Sequence, residues 1–146
     1  MLLYLDLNCF NRPFDDQNQM RVAEETEAVF SILQRIEDGT DELAWSGALT
    51  FENSQHPLED RRDEIARWEQ RASSNLGITD AVAERARELV DAGFHDLDSV
   101  HLACAETAGC DRFLTCDDRL LRRAVRVQLM VDVQNPVDYV EDFPND

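Results

Sequence analysis

The chain has 146 residues, 43 % of them hydrophobic, a size and composition suited to one domain with one core, and 31 acids against 14 bases set a formal charge of −17 at pH 7. So acidic a chain repels nucleic acid at long range, which argues against a general DNA or RNA binder. Every one of the bases is arginine, which excludes chemistries that need a lysine, such as the phosphate-binding P-loop and Schiff-base catalysis, and disfavours a phosphoaspartate site built around one.

The opening "MLLYLDLN" reads as a strand over residues 2–7 that starts at the first residue; it is too short and too acidic for a signal peptide. "NRPFDDQNQ" reads as a loop, where Pro13 stops regular pairing and Asp15, Asp16 and Asn18 suit turns and helix starts. Val22, Val29, Ile32, Leu33 and Ile36 recur at helical spacing and predict a helix from about Met20 to Glu37, closed by Gly39. "ELAWSGALT" predicts a second strand, followed by a charged helical stretch from Phe51 to about Ser73 and a break at "SSNLGITD". Thr79 or Asp80 caps a helix running to Val90, and "HDLDSVHLACAETAG" predicts another that ends at Gly109. "DRFLTC" is a short third strand, "DDRLLRRAVR" a helix, "QLMVDV" a last strand, and "QNPVDYVEDFPND" a loop or short helix. Strands alternating with helices imply a parallel sheet covered on both faces. No apolar run approaches the roughly 18 residues that span a bilayer, so no membrane role is expected. Cys9, Cys104, Cys110 and Cys116 form neither a CxxC pair nor a zinc spacing; reduced, packed thiols are expected, in keeping with a cytoplasmic location.

Asp6 is out of place in a strand flanked by Leu3, Leu5 and Leu7, because a lone charge in a core is strongly unfavourable unless it is paired or bound to a cation. Glu52 lies just past the second predicted strand, Asp117 follows the third, and Asp98 opens the helix before it. In parallel sheets ligands bind beyond the carboxyl ends of the strands, so these four acids are placed to meet at one rim. Carboxylates so close raise one another's pKa unless a cation neutralises them; hard oxygen donors suit Mg²⁺ or Mn²⁺, and such an ion supports phosphodiester hydrolysis. Each acid also has a plainer use: Asp98 and Asp117 as helix-start residues, Glu52 as a solvated first-turn glutamate. Arg119, Arg122, Arg123 and Arg126 fall at i, i+3, i+4 and i+7 and form one helical stripe, away from Leu120, Leu121 and Val125, with Arg12 in reach of the same rim. The stripe suits phosphate or RNA, or a protein partner, or simply a solvated face paired with acids.

Taken together, "YLDLNCFNRPFDDQ", "LTFEN", "DLDSVHLACAE" and "FLTCDDRLL", in that order, resemble the PIN-domain family, and in particular small prokaryotic members with an "NRPFDDQ"-like stretch. The resemblance implies a single domain over residues 1–146, a three-layer α/β/α sandwich around a mostly parallel sheet of four or five strands. It implies a Mg²⁺- or Mn²⁺-dependent endoribonuclease acting on RNA, of the VapC type, with an antitoxin partner and a homodimeric state. By motif, Asp6, Glu52, Asp98 and Asp117 are the family's acids and metal ligands, and Thr115 is the small hydroxyl residue two before the last. Asn8 is a neighbour that positions water or phosphate, and His101, one turn beyond Asp98, is that acid's partner or a packed histidine. Asp96 beside Asp98 and Asp118 beside Asp117 are the neighbours with which each ligand is most easily exchanged, Asp118 serving as spare ligand or cap. The alternative from another class is a catalytically idle PIN-like module for protein–protein assembly.

Overall fold

The computed structural model describes residues 1–145. Five strands, β1 (Leu2–Leu5), β2 (Glu42–Ser46), β3 (Ser74–Leu76), β4 (Arg112–Leu114) and β5 (Asp132–Gln134), form one sheet in the order β3-β2-β1-β4-β5. All four pairings are parallel, with Leu3 beside Leu43 on one side and Arg112 on the other. Eight α-helices connect or follow the strands: α1 (Leu7–Asn11), α2 (Met20–Asp38), α3 (Gly47–Ser54), α4 (Glu59–Ala66), α5 (Asp80–Asp91), α6 (Asp96–Thr107), α7 (Asp118–Arg126) and α8 (Pro136–Asp142).

The chain steps outward from β1 to β3, then crosses back over the sheet through α5 and α6 to β4. Right-handed crossovers in opposite directions place their helices on opposite faces, which makes the α/β/α sandwich. Helix α2 packs on α1 and α8, and α5 packs on α6. The central strands are apolar on both faces, as a doubly covered sheet requires: Leu3, Leu5, Leu43, Phe113 and Leu114 are all fully buried. Tyr4 stacks on its register neighbour Phe113 at 5.3 Å between ring centroids.

Several boundaries differ from expectation. The first strand stops at Leu5, and residues 7–11 turn into a helix, followed by one 3₁₀ turn over Arg12–Phe14 where a loop was expected. The second strand ends at Ser46, whose hydroxyl accepts from the Leu49 amide and starts α3, so Glu52 sits on a helix. The stretch read as one helix from Phe51 is broken: α3 ends at Ser54, Pro57 blocks continuation, and α4 and a 3₁₀ turn over Arg67–Arg71 follow. The "break" after it contains β3, in which Ala44 pairs with Ser74. The tail folds as α8, started by Asn135, whose side chain accepts from the Val137 amide.

Helix α2 closes as expected on Gly39 in the left-handed region, φ +80°. Gly39→Ala forces a side chain into that conformation and is expected to lower stability by about 1 kcal/mol, read as a lower urea midpoint at unchanged slope.

Candidate metal centre

The order in which strands are added reverses between β1 and β4, the switch point at which open α/β sheets bind ligands beyond their strand ends. Asp6 is the residue immediately after β1, and its amide still donates to the Leu114 carbonyl of β4 at 2.9 Å. Side chains alternate along a strand, so Asp6 shares the face of Tyr4, which touches α6, rather than that of Leu3 and Leu5. The same alternation explains how a carboxylate fits beside three leucines without lying among them.

Asp6 is 4 % exposed. Its Oδ2 accepts from the Thr115 hydroxyl at 2.8 Å and the Asn8 amide at 3.1 Å, and no other group among the described residues bonds its side chain. Asn8 also donates to Thr115 Oγ1 at 3.0 Å and accepts the Cys116 amide at 3.0 Å, bracing the end of β1 to the end of β4. Thr115 accepts the Asp117 amide at 3.1 Å. Asp117 starts α7, its Oδ1 accepting from the amides of Arg119 and Leu120. The capping role open for Asp117 is therefore real, and it uses only one of the two carboxylate oxygens.

Glu52 arrives from α3 and His101 from α6. The His101 ring is fully buried, with Nε2 3.1 Å from Glu52 Oε1 and Nδ1 2.6 Å from the Tyr4 hydroxyl, which lies 2.7 Å from Ser46 Oγ. A carboxylate only accepts, so Nε2 donates; in the neutral ring Nδ1 then accepts from Tyr4, and Tyr4 accepts from Ser46. Burial pushes the Tyr4 pKa well up and keeps its proton in place. His101 is thus hydrogen-bonded to Glu52, not to Asp98 as its position one turn along α6 suggested. Tyr4 and Ser46 escaped sequence reasoning because both read as ordinary strand residues.

Donor atoms of Asp6, Glu52 and His101 all lie within 4.8 Å of one another. Burial pushes the Asp6 pKa up to about 6, with Asp98 and Glu52 adding to the rise and His101 and Thr115 opposing it. The half-buried Asp98 is raised as well, by desolvation first and then by Asp117 and Glu52. Asp6 therefore senses Glu52 and Asp98, and Asp98 senses Glu52 and Asp117, while Asp98 and Asp117 lie outside the group whose donor atoms come within 4.8 Å of one another. Asp96 is exposed on the first turn of α6. Asp118 is bound at 2.6 and 2.8 Å by Arg21. Arg12 is likewise engaged, with Glu25 and Asp15 at 3.0 Å each. The four α7 arginines line a cleft that ends on Asp98.

The donor set fits a hard dication. It is made of carboxylates, with Asp6 Oδ1 and the whole Asp98 carboxylate free of hydrogen bonds among the described residues, and with mutual repulsion that a divalent charge relieves. The four cysteines are free and buried, and no described helix is long and apolar enough to cross a membrane.

The family model described as PIN domain matches residues 3–126. Among solved structures, the chain is similar to a chain of VapBC2 from Rickettsia felis, crystallised bound to a DNA fragment from its promoter, with a TM-score of 0.59. The sequences are 12 % identical over 92 % of this chain and 98 % of that one, a likeness of fold. The curated proteins contain no match.

Proposed function

The chain belongs to the PIN-domain family, and from that premise we propose that it is a divalent-metal-dependent endoribonuclease of the VapC type. The observation that carries the reading is the meeting of Asp6 and Glu52 at the switch point, their donor atoms within 4.8 Å of each other and of His101, with the Asp6 pKa raised by burial first and then by Asp98 and Glu52. Asp6, Glu52, Asp98 and Asp117 would hold Mg²⁺ or Mn²⁺, which would supply charge neutralisation and acidify a water for phosphodiester hydrolysis.

The chain's own residues set up the rest. Thr115 and Asn8 hold Asp6 by Oδ2 and leave Oδ1 without a hydrogen bond among the described residues. His101 holds Glu52 by Oε1, and the buried Tyr4 and Ser46 fix the ring that does so. Asp117 stays locked to the first amides of α7 through Oδ1, which leaves Oδ2 for the centre. Asp6, Glu52 and Asp117 are each positioned by a group that uses one carboxylate oxygen, a common arrangement around metal ligands, while the Asp98 carboxylate has no such partner among the described residues. The similarity to a VapBC chain supports a toxin held in check by an antitoxin partner; a homodimer working in the cytoplasm completes the proposal.

Calorimetric titration of the purified protein with Mn²⁺, followed by incubation with end-labelled RNA, tests the reading. Expected are saturable binding and internal cleavage that EDTA abolishes and added Mn²⁺ restores. A protein that takes up no Mn²⁺ and leaves RNA intact is the idle module instead.

A further inference from the structure

A cleft of about 260 Å³ runs from Asp98 along α7, with Gly93 and His95 on one wall and Arg119, Arg122, Arg123 and Arg126 on the other. All four arginines are exposed. In a chain with 31 acids, exposed arginines find carboxylates easily. Among the described residues none of these four guanidiniums makes an ion pair or hydrogen bond; the same holds for the exposed Arg67, Arg71 and Arg87, and what sets these four apart is that they line one cleft with Asp98. Asp118, the acid on their own helix, is taken by Arg21. Favourable placement at the negative end of the helix accounts for Arg123 and Arg126 but not for Arg119 and Arg122, which sit nearer its start.

Gly93 adds a second observation. Its φ is +111°, and a Cβ there would fall 2.9 Å from Arg123 Cζ. The guanidinium therefore lies against bare backbone, in the bend between α5 and α6, where a side chain would push it out of the cleft. The seven helical steps from Arg119 to Arg126 carry the stripe about 10 Å along the axis, a track long enough for adjacent phosphates of an extended strand. Phe94 and Leu120 on the cleft floor are buried, so it exposes none of the large apolar anchors on which protein interfaces depend.

We infer that this cleft binds the phosphates of single-stranded RNA beside the bond to be cut, and so lets a protein of charge −17 hold a polyanion. The inference rests on the nuclease reading for its substrate and goes beyond it in assigning the binding track. Arginine forks bind phosphate bidentately, and the strand leaving the cleft at Asp98 enters the acidic centre, where a divalent cation offsets the repulsion.

The test uses Asp6→Asn protein, so that RNA is not consumed, and a fluorescent 12-nucleotide RNA of mixed sequence, followed by anisotropy at several salt concentrations. Adding R122Q/R123Q is expected to weaken binding at least tenfold and to flatten the salt slope by about 1.4, the value for two lost phosphate contacts on a single strand. Arg87→Gln, on the exposed face of α5, is expected to change neither, and thermal melting confirms that each variant is folded. Unchanged affinity and slope in R122Q/R123Q overturn the inference, as does absence of RNA binding at low salt. Displacement of the RNA by an oligoglutamate of equal charge overturns it too, in favour of an acidic protein partner. The two readings fail separately. RNA bound through α7 but never cut by the wild type in Mn²⁺ removes the nuclease and supports the track. RNA cut by R122Q/R123Q with an unaltered KM removes the track and leaves the nuclease.

Discussion

Asp6→Asn is expected to melt above the wild type in EDTA at pH 8 and to lose both the stabilisation by Mn²⁺ and the cleavage of RNA. The Asp6 pKa stands at about 6 in the folded chain against an ordinary 3.8. Between those values the folded state holds a proton that the unfolded chain releases, so stability falls as pH rises through this window. Above about pH 6 the charged, buried carboxylate carries its whole penalty, about 3 kcal/mol for a rise of this size. Asparagine keeps an oxygen for Thr115 and carries no charge, so it removes the penalty and flattens the pH dependence between about pH 4 and 6. In the wild type, Mn²⁺ at a hundred times its Kd returns about 2.7 kcal/mol by binding only the folded state; Asp6→Asn is expected to show none of this. Loss of a residue that merely positions a ligand lowers metalloenzyme activity 10- to 100-fold, so loss of Asp6 itself is expected to exceed about 100-fold. Thermal melts with EDTA and with Mn²⁺, beside a cleavage assay, read all three effects. An Asp6→Asn protein that melts like the wild type and still responds to Mn²⁺ removes Asp6 from the centre.

Arg85→Ala has the largest expected effect outside the acidic centre. Glu106 on α6 has a side chain only 1 % exposed, and Arg85 on α5 donates to it from Nε at 2.7 Å and from Nη2 at 3.2 Å. Glu106 also accepts the Met130 amide at 2.7 Å, in the segment that leads to β5. The pair therefore ties the crossover helices to the edge of the sheet. Removing the guanidinium leaves a carboxylate buried without its counter-charge, for which about 3 kcal/mol is expected. In a domain of this size that is a fall in Tm of about 10 °C. Adding Glu106→Gln to Arg85→Ala recovers part of the loss if the stranded charge is its cause. A double variant no more stable than Arg85→Ala assigns the loss to packing of the arginine stem instead.

The parts of the fold that the sequence revealed are those with a sustained pattern. Helix α2 shows five apolar residues on one face and a closing glycine, α7 begins at acids and carries a clear stripe, and α6 begins at acids and is buried on nearly every side from His101 to Glu106. Strand β3 stayed hidden because three residues of edge strand, one of them exposed and two half-buried, have no alternation to read. Helix α3 stayed hidden because its start depends on the Ser46 hydroxyl bond to Leu49, which "WSGALT" does not advertise among strand-like residues. The acids were legible singly, as charges in awkward places. Their partners were not, because those come from contacts remote in sequence. His101 reaches Glu52 across 49 positions and Tyr4 across 97. Likewise, the engagement of Arg12 by Glu25 and of Asp118 by Arg21 rests on which faces of the helices meet, and no local spacing encodes that.

The pairing of β1 with β4 joins residues 109 positions apart, and Thr115 donates to Asp6 over the same separation. Until β4 and the residues just after it have been made, Asp6 lacks its hydrogen bond from Thr115, and the last of the four acids is missing. On the nuclease reading proposed here, activity is therefore withheld until the segment that carries Thr115 and Asp117 has been made.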